Sequence, residues 1–149
     1  MTKFLKALAI LALSLIPLQT MAAEESFTDH RLALQVSDND PQKMTTVLNV
    51  AANVTRHYES IGETVEIRIV AFNAGLHMLR TDTSPVLERL NSFGASMPNV
   101  SFAACGNTIT GMSKKEGKDI PIVEIAEHVP AGVVDLMTLN EAGWTVIRP

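Results

Sequence analysis

The stretch Val100-Ser101-Phe102-Ala103-Ala104-Cys105-Gly106-Asn107-Thr108 decides how this chain is read. Its first five residues make an apolar run of strand type, and Cys105 ends it. Gly106 and Asn107 leave space for a turn, and Thr108 can cap a short helix running to about Met112. The same alternation extends outward on both sides. Upstream, Arg31 to Val36 reads as a first strand closed by the turn-rich Ser37-Asp38-Asn39-Asp40. Asp40 followed by Pro41 is a helix start, an N-cap before proline in the first turn. Met44, Val47, Leu48, Ala51, Val54, Tyr58 and Ile61 then recur at helical spacing until Gly62 stops them. Val65 to Phe72 is a second strand, rich in β-branched residues. Pro85 opens another helix, with Val86, Leu87 and Leu90 on its buried side, running to about Ala95. Downstream, residues 120–129 hold a fourth strand, and Pro130-Ala131-Gly132 lead into a helix carrying Val133, Leu136, Met137 and Leu139. Gly143 stops that helix, and Trp144 to Arg148 form a short last strand. Strands alternating with helices predict an α/β fold, a mainly parallel sheet with helices on both faces. The pattern leaves the strand order open.

The chain opens with the grammar of an export signal. Lys3 and Lys6 form a basic head, Ala7 to Ile16 an apolar middle broken only by Ser14, and Thr20-Met21-Ala22-Ala23 a small-residue exit. A spanning helix needs roughly 20 apolar residues, and Pro17, Gln19 and Thr20 interrupt the run too early. Residues 1–23 are therefore expected to be a cleaved signal peptide, with the cut after Ala22 or Ala23. Residues 24–149 are expected to form one domain, located in the periplasm or secreted, with no stable membrane insertion. No internal repeat, low-complexity stretch or linker divides that span.

Twelve basic against sixteen acidic residues give a formal charge of −4, and loss of Lys3 and Lys6 takes it to −6. A surface of that sign repels phosphate backbones, so nucleic acid is not an expected partner. The single cysteine cannot pair within its own chain, although exported proteins meet oxidising conditions. The four histidines, His30, His57, His77 and His128, are too scattered for a zinc site of the usual spacing. No metal and no cofactor is implied.

Ligands on open parallel sheets bind outside the carboxyl ends of the strands. Four segments are expected there: Ser37 to Asp40, Asn73-Ala74-Gly75, Cys105 to Thr108, and Pro130-Ala131-Gly132. The first carries Asp38 and Asp40 where a flavodoxin-type phosphate loop needs hydroxyls and glycines. A response-regulator pocket would need a phosphorylatable Asp after the third strand, where Cys105 stands. No GxGxxG, GxxxxGK[ST] or CxxC occurs. Asp38 with Asp40 could hold a cation, but two acids in a turn more often cap a helix and face solvent.

Cys105 carries two readings. It is a small apolar residue packed at a strand end, or a nucleophile whose thiolate is favoured by the N–H groups of the following helix. Gly106 removes side-chain bulk beside the sulfur. Asn107 can donate to a bound sulfur species or cap the helix. His77, just past the second strand, and His128, at the end of the fourth, are the candidate acid–base helpers; each is otherwise a surface histidine.

Val65 to Phe72 with Asn73-Ala74-Gly75-Leu76, then Val100 to Thr108, then Val129-Pro130-Ala131-Gly132-Val133-Val134 and Asn140-Glu141-Ala142-Gly143-Trp144, together resemble the DsrE/DsrF-like proteins over about residues 30 to 149. The resemblance implies a three-layer α/β/α sandwich around a sheet of about five strands, and assembly into oligomers. In the sulfur-relay members a cysteine after the third strand accepts sulfane sulfur as a persulfide and passes it on; Cys105 matches that position. Those members are cytoplasmic, and their cysteine loop is followed by a basic-glycine turn where this chain has Gly111-Met112-Ser113-Lys114-Lys115. The expected function is a periplasmic sulfur carrier or sulfurtransferase-like protein, a homo-oligomer with thiol or sulfane-sulfur donors and acceptors as partners. The alternative is a non-catalytic oligomeric binding module with a buried cysteine. A redox sensor, its thiol climbing the oxidation ladder, is the third reading.

Overall fold

The computed structural model describes residues 28–149, so the expected signal peptide lies outside the described residues. Five strands form one sheet: β1 (His30–Val36), β2 (Val65–Ala71), β3 (Val100–Cys105), β4 (Ala126–Val129) and β5 (Thr145–Ile147). All are parallel, in the order β4-β3-β2-β1-β5. Four α-helices accompany them: α1 (Pro41–Ser60), α2 (Leu87–Ser96), α3 (Gly106–Glu116) and α4 (Gly132–Glu141). A 3-10 helix covers Asn73–Leu79.

The strand order explains which face each helix takes. β1 to β4 each step to the next position in one direction, and crossovers between parallel strands are right-handed. The elements between them, α1, the 3-10 helix, α2 and α3, therefore land on one face. There Met44, Leu48, Leu76, Leu90 and their neighbours pack on Leu34, Ile67, Ile69 and Phe102. The return from β4 to β5 runs the opposite way, so α4 lies on the other face. It packs Leu136 against Ala33, Val70, Phe72, Ala103 and Val129. The result is the three-layer sandwich.

Local chemistry sets the boundaries. The Asp40 carboxylate accepts from the Gln42 and Lys43 N–H groups at 2.8 and 3.3 Å, capping α1. Asp38 instead pairs with Lys43 and Arg148, each at 2.7 Å. The cations at this turn are thus side chains of the protein. Gly62 and Gly143 hold φ of +77° and +86°, which stops α1 and α4 at low steric cost.

Three expectations need correction. α1 ends at Ser60, so Ile61 caps the helix and is exposed rather than buried. The fourth strand covers only Ala126–Val129, because the chain ahead of it turns aside and Ile122 bridges Arg80 antiparallel. The helix after Cys105 needs no intervening turn: Gly106 and Asn107 are its first two residues, and it continues past Met112 to Glu116.

Candidate functional site

Cys105 is the last residue of β3 and at the same time the N-cap of α3. Along β3 the side chains alternate, and Cys105 shares with Ala103 the face covered by α4. It stands beside Val129 at the end of β4. Here the fold divides, since α3 leaves β3 toward one face and α4 leaves β4 toward the other. Such a switch point is where open α/β sheets form their crevice.

A cleft of about 510 Å³ opens there, lined by Phe72, Asn73, Cys105, Asn107, Thr108, Gly111, Met112, Ala131, Gly132 and Val133. Three of the four expected edge segments contribute to it. The fourth, Ser37 to Asp40, lies beyond β2, and its Ser37 and Asp38 line a separate, smaller recess with Arg148. No charged side chain lines the cleft among the described residues. Its walls are apolar on the Phe72, Met112 and Val133 sides, with amide and hydroxyl groups toward Asn73, Asn107 and Thr108.

Cys105 is 5% exposed. Burial is the largest single influence on its thiol and pushes the pKa up. The Thr108 hydroxyl and the N–H groups of Gly132, Thr108 and Asn107 act against it and push the pKa down, although Cys105 as N-cap makes no side-chain hydrogen bond to α3. Together they prevail, and the thiol lies below its ordinary value. Asn107 and Thr108 belong to the first turn of α3, and Gly132 opens α4. Two helix N-termini therefore converge on one sulfur, and each favours negative charge there. The turns that carry them are stitched together, because the Asn107 N–H also donates to the Pro130 carbonyl at 3.1 Å.

Small residues make the convergence possible. A Cβ on Gly132 would stand 3.1 Å from Phe72 Cβ and 3.3 Å from Cys105 Cβ. On Gly106 it would come within 3.1 Å of the Val129 carbonyl oxygen. Gly106 thus permits close approach of β4 in addition to clearing space near the sulfur. Thr108 is not a helix cap. Its hydroxyl accepts from the Asn73 N–H at 3.0 Å, which leaves its own proton free to donate, and its nearness lowers the Cys105 pKa. Asn73 holds a φ of 49°, the one non-glycine residue at positive φ among those described. Asparagine tolerates that conformation better than most residues.

The two histidines are not brought to the sulfur. His77 lies within the 3-10 helix, where its Nδ1 is 2.8 Å from Thr83 Oγ1, and it does not line the cleft. His128 pairs across the sheet with Ala104, one residue from Cys105, and so projects to the opposite face. Lys114 and Lys115 are exposed in the last turn of α3, at the far end from Cys105. Sequence reasoning reached Cys105, Asn107 and Thr108 but missed Phe72, Met112 and the Gly132 N–H. The glycine in Pro130-Ala131-Gly132 was the available signal for the last. No group of three or more His, Cys, Asp or Glu residues is placed to hold a metal ion among the described residues.

No protein-family model matches the chain, and no curated protein matches it. Among solved structures, the protein of unknown function MTH1491 from Methanobacterium thermoautotrophicum is similar. The two share 25% sequence identity at a TM-score of 0.69, over 81% of this chain and all of that one. The likeness supports the α/β architecture and assigns no activity.

Proposed function

We propose that this protein is an exported sulfur carrier, sulfurtransferase-like and related to the DsrE/DsrF-like proteins, that forms a persulfide on Cys105. One observation carries the reading: two helix N-termini and the Thr108 hydroxyl converge on a single cysteine sulfur, in a cleft that no charged side chain lines among the described residues. A thiol whose pKa is lowered in this way needs less help from a neighbouring base to become the nucleophile. The placement of His77 and His128 away from the cleft fits that chemistry.

In the first step the Cys105 thiolate attacks the outer sulfur of a donor persulfide, R–S–SH. A new S–S bond forms, the donor S–S bond breaks, and R–S⁻ leaves with the electron pair. The transferred sulfur keeps its proton. In the second step an acceptor thiolate attacks that outer sulfur, the bond to Cys105 breaks, and the Cys105 thiolate returns. No external oxidant or reductant enters either step. The N–H groups that favour the thiolate also favour a persulfide anion at the same place.

The acidic surface argues against nucleic acid as partner. No helix among the described residues is long and apolar enough to cross a membrane. Val133, Val134 and Met137 stand 51%, 59% and 58% exposed on α4, beside the cleft, and support a homo-oligomer. Light scattering at micromolar concentration tests that point, with a mass above one chain expected. The carrier reading is tested by incubating the protein with a polysulfide donor and weighing it intact. One added sulfur on Cys105, released by an acceptor thiol and lost in Cys105→Ser, is expected; no uptake by folded protein overturns the reading. The burial of Cys105 favours a second reading, an oligomeric binding module with a packed cysteine, in which alkylation requires denaturant.

A further inference from the structure

The helix that presents Asn107 and Thr108 to Cys105 is weakly packed. α3 has no fully buried residue; Ile109 and Met112 contribute partly buried surface. What fixes it more firmly is a charge from beneath. Arg80 follows the 3-10 helix and is 1% exposed, the most deeply buried charged side chain described. One edge of its guanidinium faces Asp82, with Nε and Nη2 at 2.8 Å from the two carboxylate oxygens. The other side faces α3: Nη2 lies 2.9 Å from Glu116 Oε2, and Nη1 lies 3.8 Å from Met112 Sδ. Lys118 completes the cluster, 3.1 Å from Asp82 and 3.7 Å from Glu116. The Arg80 main chain is itself fixed, bridged to Ile122.

Met112 and Glu116 are one helical turn apart and share a face of α3. Met112 also lines the Cys105 cleft. Arg80 thus touches the helix at two points along the side that faces the protein, one of them a wall of the site. We propose that Arg80 is a positioning residue for Cys105: it moors α3 and thereby sets where the first turn of that helix meets the sulfur. The inference rests on Cys105 being the reacting group of the proposed carrier. A planar, permanently charged fork suits the role, because it holds Asp82 and Glu116 at fixed angles where a lysine would act as a point charge.

The sign of one titration separates mooring from simple electrostatics. Removing the Glu116 carboxylate takes a negative charge from the neighbourhood and frees part of the Arg80 charge. Acting through space, both changes favour the thiolate and lower its pKa. Acting through α3, the same substitution loosens the donors at Asn107 and Thr108 and raises it. Glu116→Gln is therefore expected to move the Cys105 pKa upward, by roughly half a unit if one helix-end interaction is weakened. It should also speed amide exchange over residues 107–112. Asp82→Asn removes a carboxylate from the same arginine but leaves Glu116 in place, and is expected to do neither.

The experiment follows thiolate absorbance against pH and amide exchange in the full mature chain and both variants. An upward shift with faster α3 exchange in Glu116→Gln alone supports the mooring. A downward or absent shift in Glu116→Gln overturns it, and so do equal effects in the two variants, which mark general loosening. If the parent protein titrates as an ordinary thiol, the carrier reading falls and this inference with it. A low parent value that Glu116→Gln leaves unmoved removes this inference alone.

Discussion

The two faces of the sheet are built differently. One is covered by α1, α2, α3 and the 3-10 helix, and Leu34, Met44, Leu48, Ile67, Ile69, Leu76 and Leu90 beneath them are fully excluded from water. The other is covered, among the described residues, by α4 alone, over the smaller set Ala33, Val70, Phe72, Ala103, Cys105, Val129 and Leu136. An ion cluster helps tie α4 down, with Arg68 reaching Asp135 and Glu127 at 2.9 Å each. Apolar area removed from water is what stabilises a domain of this size, so stability belongs mainly to the thick face. The thin face, with small residues and open edges, leaves room for the cleft and its sulfur. Packing and chemistry are thus divided between the two sides of one sheet.

Substitutions that treat the faces unequally test this division. The largest effect is expected from Leu48→Ala on the buried side of α1, where a lost leucine leaves a cavity and costs about 2–5 kcal/mol. Met137→Ala on the exposed side of α4 should stay within about 0.5 kcal/mol at concentrations where the chain is monomeric. Denaturant unfolding of both variants measures the contrast, and similar losses would break it. Next comes Gly132→Ala. Its new methyl group meets Phe72 and Cys105 at overpacked distances, for an expected cost of about 1–3 kcal/mol. It should also slow alkylation of Cys105, since the N-terminus of α4 must retreat from the sulfur.

Cys105→Ser sharpens the comparison from the side of the site. The hydroxyl would sit among the polar groups of Asn107, Thr108 and Gly132, and the loss at neutral pH should be under about 1.5 kcal/mol. The pH dependence carries the sign. The folded thiol has a depressed pKa, so between that value and the unfolded value of about 8.5 the unfolded state binds more protons. Stability of the parent should therefore rise with pH through that window, and the contribution is lost as pH falls through the folded pKa. The serine variant should lack this rise. Melting temperatures across the range decide it, and identical slopes in the two proteins would count against a depressed thiol.

Much of this was legible in the sequence, because periodicity reports burial. Asp40-Pro41 and the Met44 to Ala51 spacing announced α1, and Val65 to Phe72 announced a central strand. The strand order was not legible: local patterns carry no information about which strand lies beside which. Without the order, the placement of α4 on its own face was hidden, and with it the convergence of α4 and α3 on Cys105. Thr108 suits a cap in the sequence because Gly106 and Asn107 leave space for a turn ahead of it. The helix starts earlier because Cys105 itself supplies the N-cap backbone. His77 and His128 sit near the cleft in sequence terms, yet a one-residue step along β4 turns His128 to the opposite face. Arg80 gave no sign at all, since its partners Asp82 and Glu116 come together only in the folded chain.

The central claim is that the ends of two helices lower the pKa of the Cys105 thiol, and alkylation rate against pH tests it most directly. The account predicts that native protein reacts with iodoacetamide at neutral pH, with an inflection below the ordinary thiol value of about 8.5. Thr108→Val, which keeps the shape but removes the hydroxyl donor, should move that inflection upward, while Thr108→Ser should leave it in place. An inflection at or above the ordinary value, or reaction only after denaturant is added, would contradict the claim.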